Sequence, residues 1–305
     1  MLLGAYRPEF WQPASAQSTA SIAALGQAIG EPLGIVHWFV GWGTNKDLDL
    51  SALRSVSDRG AVPMITWEPA AGKPEDPTWT LRASVLSGAN DQYITSWAQG
   101  LAAYGKPVLL RFAHEMHNTS YSWGLGVNGN TAADYVAAWR HVHDIFVQNG
   151  AANVKWVWNP NTMGDATTDA YLPIYSSLYP GDDVVDFVGL DVYNTGPDVD
   201  WGAPRWRSFS DILSAPYQAI TQVSNKPLIL PEVGSAEDGG SKPDWIKDAL
   251  SPQTLGAFPR LRAFVWFDDN KETQWSLTSS PGAWGAWSVA ARNPEFATKV
   301  DTLVG

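Results

Sequence analysis

Eight short apolar or β-branched runs, each followed by a loop and mostly by a helix-like stretch, constrain this chain more than any other feature. The runs are LLGAYRP (2–8), IVHWFVGW (35–42), VPMITWEP (62–69), PVLLRFAHEM (107–116), VKWVWNPN (154–161), VVDFVGLDVYN (184–194), KPLILPEVG (226–234) and LRAFVWFDDN (261–270). Between them, STASIAALGQAIG, DLSALRSVSDRG and NDQYITSWAQGLAAYG carry helical periodicity and end on glycine. TAADYVAAWRHVHDIFVQNG opens on Thr131 as a cap and repeats Tyr135, Trp139 and His143 every fourth residue. SFSDILSAPYQAITQVS and KPDWIKDALSPQTLGAF are helical patterns interrupted by proline, and NPEFATKVDTLV closes the chain. Eight such alternations in 305 residues are the pattern of an α/β fold of the (β/α)8 TIM-barrel type, read as one domain over residues 1–305. An open doubly wound sheet is the alternative, but no glycine-rich phosphate loop follows the first run.

Barrel sites lie at the C-terminal ends of the strands. The polar and aromatic residues gather there: His37 and Trp38, Trp67 and Glu68, His114 and Glu115, Trp158 and Asn159, Asp191 and Tyr193, Glu232, and Trp266 with Asp268. The expectation is one aromatic, acidic cleft. Seventeen tryptophans suit a protein that stacks on the flat faces of a ligand. A net charge of −11 without a basic run argues against nucleic acid or an anionic membrane as partner. The absence of cysteine excludes disulfides, thiolate metal sites and thiol nucleophiles. No run approaches the ~20 apolar residues of a membrane span. MLLGAYRPEF lacks the basic start and apolar length of a signal peptide. A secreted protein whose signal is missing from this sequence is the expectation, and a cytoplasmic one is compatible.

Glu115 ends the fourth strand and Glu232 the seventh, and these strands face each other across an eight-stranded mouth. Period-two alternation puts Arg111, Ala113 and Glu115 on one face, and Leu228, Leu230 and Glu232 on another, both directed inward. Two inward carboxylates are the minimum equipment for glycoside hydrolysis. The competing readings are strand-end carboxylates in structural ion pairs, and a metal site on His114 and His117. The i, i+3 spacing of these histidines is not a strand-face spacing, and no third ligand motif accompanies them.

RFAHEMHN, WVWNPN, GLDVYN, LPEVGS and WFDDN together resemble glycoside hydrolase family 26, a family of β-mannanases, mixed-linkage β-glucanases and β-1,3-xylanases. The resemblance runs from the first strand to the last. It implies a retaining double displacement, with Glu115 as acid/base, Glu232 as nucleophile, Tyr193 beside the nucleophile and Trp266 as the sugar-stacking tryptophan. Arg111 and Tyr193 are candidates to hold Glu232 ionised, and His114 to bond substrate or orient a carboxylate. Trp38, Trp67, Trp123, Trp158, Asn159, Asp191 and Asp268 complete the candidate substrate contacts. No cofactor or metal is expected, and the protein is expected to be a monomer acting on a polysaccharide or oligosaccharide. The run HEMHNTSYSWG departs from the mannanases, where Asn-Gly is common at the positions of His117 and Asn118, whereas ITWEP and GVNGNT are closer to the β-glucanase-like members. Mixed-linkage β-1,3-1,4-glucan is therefore the first substrate expectation, β-1,4-mannan the second and β-1,3-xylan the third. A non-catalytic carbohydrate-binding barrel and a metal-dependent barrel hydrolase are the readings from other classes.

Overall fold

A computed structural model describes residues 1–30, 32–44, 47–70, 78–197, 199, 205–293 and 296. The eight runs form eight parallel strands: β1 (Leu2–Tyr6), β2 (Ile35–Gly41), β3 (Val62–Glu68), β4 (Val108–Phe112), β5 (Val154–Trp158), β6 (Phe187–Asn194), β7 (Leu228–Ser235) and β8 (Leu261–Phe267). They pair in chain order and close, β1 against β8. The helices are α1 (Ala16–Ile29), α2 (Leu50–Ser57), α3 (Asp91–Tyr104), α4 (Ala132–Gln148), α5 (Thr168–Leu178), α6 (Phe209–Val223), α7 (Lys242–Ala249), α8 (Pro252–Gly256) and α9 (Pro281–Ala290).

Local chemistry accounts for the boundaries. Gly30 and Gly105 close α1 and α3 in the left-handed conformation that glycine adopts without cost. Thr131 and Asp134 form a reciprocal capping box at the start of α4. The second proline in KPDWIKDALSPQTLGAF divides that segment into α7 and α8, because Ser251 caps a new helix with Pro252 at its first position. Two helices escape the periodicity reading. Pro173 lies inside α5 and obscures it, and the glycines of PGAWGAWSVA weaken α9. The closing segment 293–304, expected to be helical, lies outside the described residues except for Asn293 and Phe296.

The barrel interior is a small apolar plug that includes Leu2, Ile35, Met64, Leu109, Val157, Phe187, Ile229 and Val265. Gly4 faces it because a Cβ there would sit 2.7 Å from that of Ile35. The larger core lies between the strands and the surrounding helices and holds most of the buried tryptophans. Above the plug, toward the strand C-termini, the interior turns polar: His37, Thr66, Arg111, Asn159 and Asp191 are all fully buried. That change of layer sets the floor of the site.

Candidate active site

Arg111 projects inward from β4 and organises the floor. Its Nη1 donates to Glu232 Oε1 at 2.5 Å and to Thr66 Oγ1 at 3.0 Å, while Nη2 donates to the Asp191 carboxylate. The planar fork serves two carboxylates at once in a fixed geometry that the single ammonium of a lysine would not impose. Thr66 lies 2.7 Å from His37 Nε2. Burial and the nearby Arg111 push His37 well below the usual histidine range, so it is neutral. Asn159 donates to Asp191 at 2.7 Å from the end of β5. The Asn159 side chain occupies space that only glycine leaves free at position 189, where a Cβ would lie 2.2 Å from Asn159 Oδ1.

Glu232 reaches the cleft by a route that simple alternation does not describe. Ile229 faces the interior and Leu230 the helices. Pairing with β6 then jumps from Gly189–Ile229 to Asp191–Glu232, so β7 holds one extra residue in a bulge at Leu230–Pro231–Glu232. The bulge turns Glu232 inward, opposite in direction to Leu228 and Leu230, with which the sequence pattern grouped it. Tyr193, on β6, donates its hydroxyl to Glu232 Oε2 at 2.6 Å. Burial, then Glu232, raises the Tyr193 pKa well above the ordinary phenol, so it remains a donor. Gly234, paired with Tyr193 in register, leaves room for the phenol ring.

Glu115 is also placed by irregular backbone. The strand expected to run to Met116 ends at Phe112, and Ala113 and Glu115 take φ values of 45° and 48°. Non-glycine residues hold this left-handed conformation only where the surroundings impose it. Here Ala113 N–H donates to Trp67 O at 3.1 Å, and Glu115 N–H to Asn159 O at 2.7 Å. Tyr135 OH donates to Ala113 O at 3.2 Å, and Trp123 Nε1 to His114 O at 2.7 Å. The Glu115 carboxylate accepts from Asn118 Nδ2 at 2.9 Å. Burial first, and the charge of Glu232 second, raise the pKa of Glu115, with Arg111 opposing them. His114 lies beneath, fully buried and neutral, its Nε2 at 3.1 Å from Tyr121 OH.

Glu115, Glu232 and Tyr193 line one cleft of about 950 Å³. Arg111, His114, Asn159 and Asp191 lie below its surface, fully buried and bonded to one another or to the residues above. The tryptophans are placed differently from the sequence expectation. Trp38, Trp67, Trp158 and Trp266 face the helices and pack in the outer core. Trp266 stands against Trp245 and donates to Trp275 O at 2.9 Å. Trp123 stacks on Tyr121 behind the His114–Glu115 turn. Asp268 is buried, held by Arg7 at 2.5 Å and by the Leu277 N–H at 2.6 Å. None of these six lines the cleft. Its aromatic surface comes instead from Tyr6, Trp11, Phe39, Tyr121 and Phe267, with Glu68, Lys271 and Glu272 alongside. The physical reason is parity: adjacent strand residues point to opposite sides, so the cleft takes Phe39 and Phe267 where Trp38 and Trp266 take the helix side.

Three comparisons bear on this site. Residues 78–233 match the family model for glycosyl hydrolase family 26. Endoglucanase H of Acetivibrio thermocellus is 39% identical over 278 residues, 90% of this chain and 29% of that protein. Mannan endo-1,4-beta-mannosidase A and B of Caldalkalibacillus mannanilyticus is 29% identical over 185 residues, 59% of this chain and 31% of that protein. The chain thus spans about three tenths of the length of these curated relatives. A GH26 beta-mannanase structure from Bacteroides ovatus superposes with a TM-score of 0.67 at 18% identity, covering 98% of this chain and 89% of the other. The closed barrel, the pair of mouth carboxylates and the match over residues 78–233 lead to one assignment: the chain belongs to glycosyl hydrolase family 26.

Proposed function

We propose that this chain is a retaining endo-β-glycanase whose first substrate is mixed-linkage β-1,3-1,4-glucan. The observation that carries the reading is the unequal hydrogen bonding of two carboxylates in one cleft. Glu232 receives two strong donors, Arg111 at 2.5 Å and Tyr193 at 2.6 Å, which suits an ionised nucleophile. Glu115 accepts from the neutral Asn118 amide, and burial favours its protonated form, which suits a general acid. In the first step Glu232 attacks the anomeric carbon while Glu115 gives its proton to the departing glycosidic oxygen. Glycosylation removes the charge on Glu232, and with it one cause of the raised Glu115 pKa. Glu115 then takes a proton from the water that releases the sugar.

The glucan preference rests on the 39% identity to an endoglucanase over 90% of the chain. β-1,4-Mannan is the second reading, favoured by the mannosidase relative, and β-1,3-xylan the third. Glucose and mannose chains differ in the C2 hydroxyl, so one or two hydrogen bonds separate the first two. Both carboxylates stand in one barrel mouth, which suits action as a monomer. A polymeric substrate suits action outside the cell. No helix among the described residues is long and apolar enough to cross a membrane.

The test is reducing-sugar release from lichenan, galactomannan, glucomannan and β-1,3-xylan by the wild type and by Glu232→Ala. Lichenan turnover that disappears in the variant is expected. Turnover of galactomannan alone replaces glucan by mannan, and equal turnover by the variant refutes the two-glutamate mechanism.

A further inference from the structure

We propose that Glu68 is a specificity-determining residue whose carboxylate binds hydroxyl groups of a sugar held in the half of the cleft bounded by β8, β1, β2 and β3. The inference rests on the reading of the cleft as a sugar site. A line from β4 to β7, the strands that bring Glu115 and Glu232, divides the mouth unequally. β5 and β6 stand on one side, and the other four strands on the opposite side.

The wide half carries an apolar wall. Tyr6 meets Phe39 edge to face at 5.1 Å and stacks on Phe267 at 4.6 Å. Trp11, 45% exposed, donates its Nε1 to Tyr6 OH at 3.0 Å and extends that wall. Glu68 ends β3, one strand beyond Phe39, and pairs in register with Gly41. Its Oε2 lies 3.8 Å from where a Gly41 Cβ would stand, so the carboxyl leans over the end of β2. Among the described residues its side chain forms no hydrogen bond or ion pair, whereas Glu115 and Glu232 both do.

Sugars are amphipathic, and this half matches them. C–H faces stack on aromatic rings, and adjacent hydroxyls can both donate to one carboxylate. An unpartnered carboxylate in a partly desolvated wall carries a cost that ligand hydroxyls offset. The charged and titratable groups facing it are Arg111 on β4, Glu115 and Tyr121 after β4, Glu232 on β7 and Lys271 after β8. Burial raises the Glu68 pKa to about 7, with Arg111 and Lys271 pulling it down and Glu232 and Glu115 pushing it up.

The experiment is calorimetric titration of a mixed-linkage glucan tetrasaccharide and of mannotetraose into Glu115→Gln protein, alone and combined with Glu68→Ala or Glu68→Gln. Melting curves verify folding, and the near-isosteric Gln variant serves if Ala fails. Affinity for at least one tetrasaccharide should fall about tenfold to a hundredfold with Ala and less with Gln. In otherwise wild-type enzyme, Glu68→Ala should raise KM by the same factor and change kcat by less than about threefold. Equal affinity with and without Glu68 overturns the proposal. So does a shifted kcat–pH profile with unchanged affinity, which would make Glu68 a through-space modulator of Glu115. So does absence of binding by both probes. Glu68-dependent binding by a protein that hydrolyses nothing would refute the enzyme reading and leave this one standing.

Discussion

Arg111→Met tests the architecture of the site most directly. The guanidinium is fully buried and bonded to Glu232 and Asp191, so its removal strands two buried carboxylates at once. Breaking a buried ionic network by deleting one partner costs about 3–5 kcal/mol. Unfolding entropy of about 2.1 cal/mol/K per residue gives about 0.64 kcal/mol/K for 305 residues, so the melting temperature should fall by about 5–8 °C. Arg111→Lys keeps the charge without the two-armed geometry. It should recover part of the melting temperature while activity stays down by about a hundredfold, because Glu232 is no longer held in line. Scanning calorimetry, paired with hydrolysis rates, reads both effects. A Met variant that melts with the wild type at pH 7, or a Lys variant with full activity, would sink the reasoning.

Further outcomes follow from the same geometry. Trp67, buried among Trp42, Trp97 and Phe146 on the helix side, should lose stability without a change in KM when replaced by leucine. Phe39→Ala should raise KM, since that ring lines the cleft; steady-state kinetics and melting curves separate the two, and the reverse pattern would contradict the assigned parity. Gly189→Ala should displace Asn159, break its bond to Asp191 and depress both melting temperature and kcat, whereas a normal enzyme would show that the floor tolerates a Cβ. The raised pKa of Glu115 keeps its acid form into higher pH than an ordinary glutamate allows, so kcat/KM should fall on the alkaline side as that proton leaves. Glu115→Gln should remove that limb together with most of the rate on unactivated polysaccharide, and an unchanged alkaline limb would point to another acid.

The sequence carried a large part of this answer. Eight apolar runs are legible because a strand buried on both faces must be apolar along its length, and their number and spacing leave few ways to close a sheet. Glu115, Glu232, Arg111 and Tyr193 are legible because charged and phenolic groups at the ends of such runs need a reason to be there. Facing is not legible. A tryptophan and its neighbour are equally good strand residues, and only register within the closed barrel puts Phe39 and Phe267 in the cleft and Trp38 and Trp266 against the helices. Alternation also pointed Glu115 and Glu232 inward for reasons the backbone does not follow: one side chain is aimed by a left-handed turn at 113–115, the other by a bulge at Pro231. Both irregularities are held by long-range contacts, with Trp67 and Asn159 in one case and Asp191 in the other. Composition and pattern report what each segment would bury, a local property. The direction of a catalytic side chain depends on which distant backbone stands beside it, and that is decided only when the barrel closes.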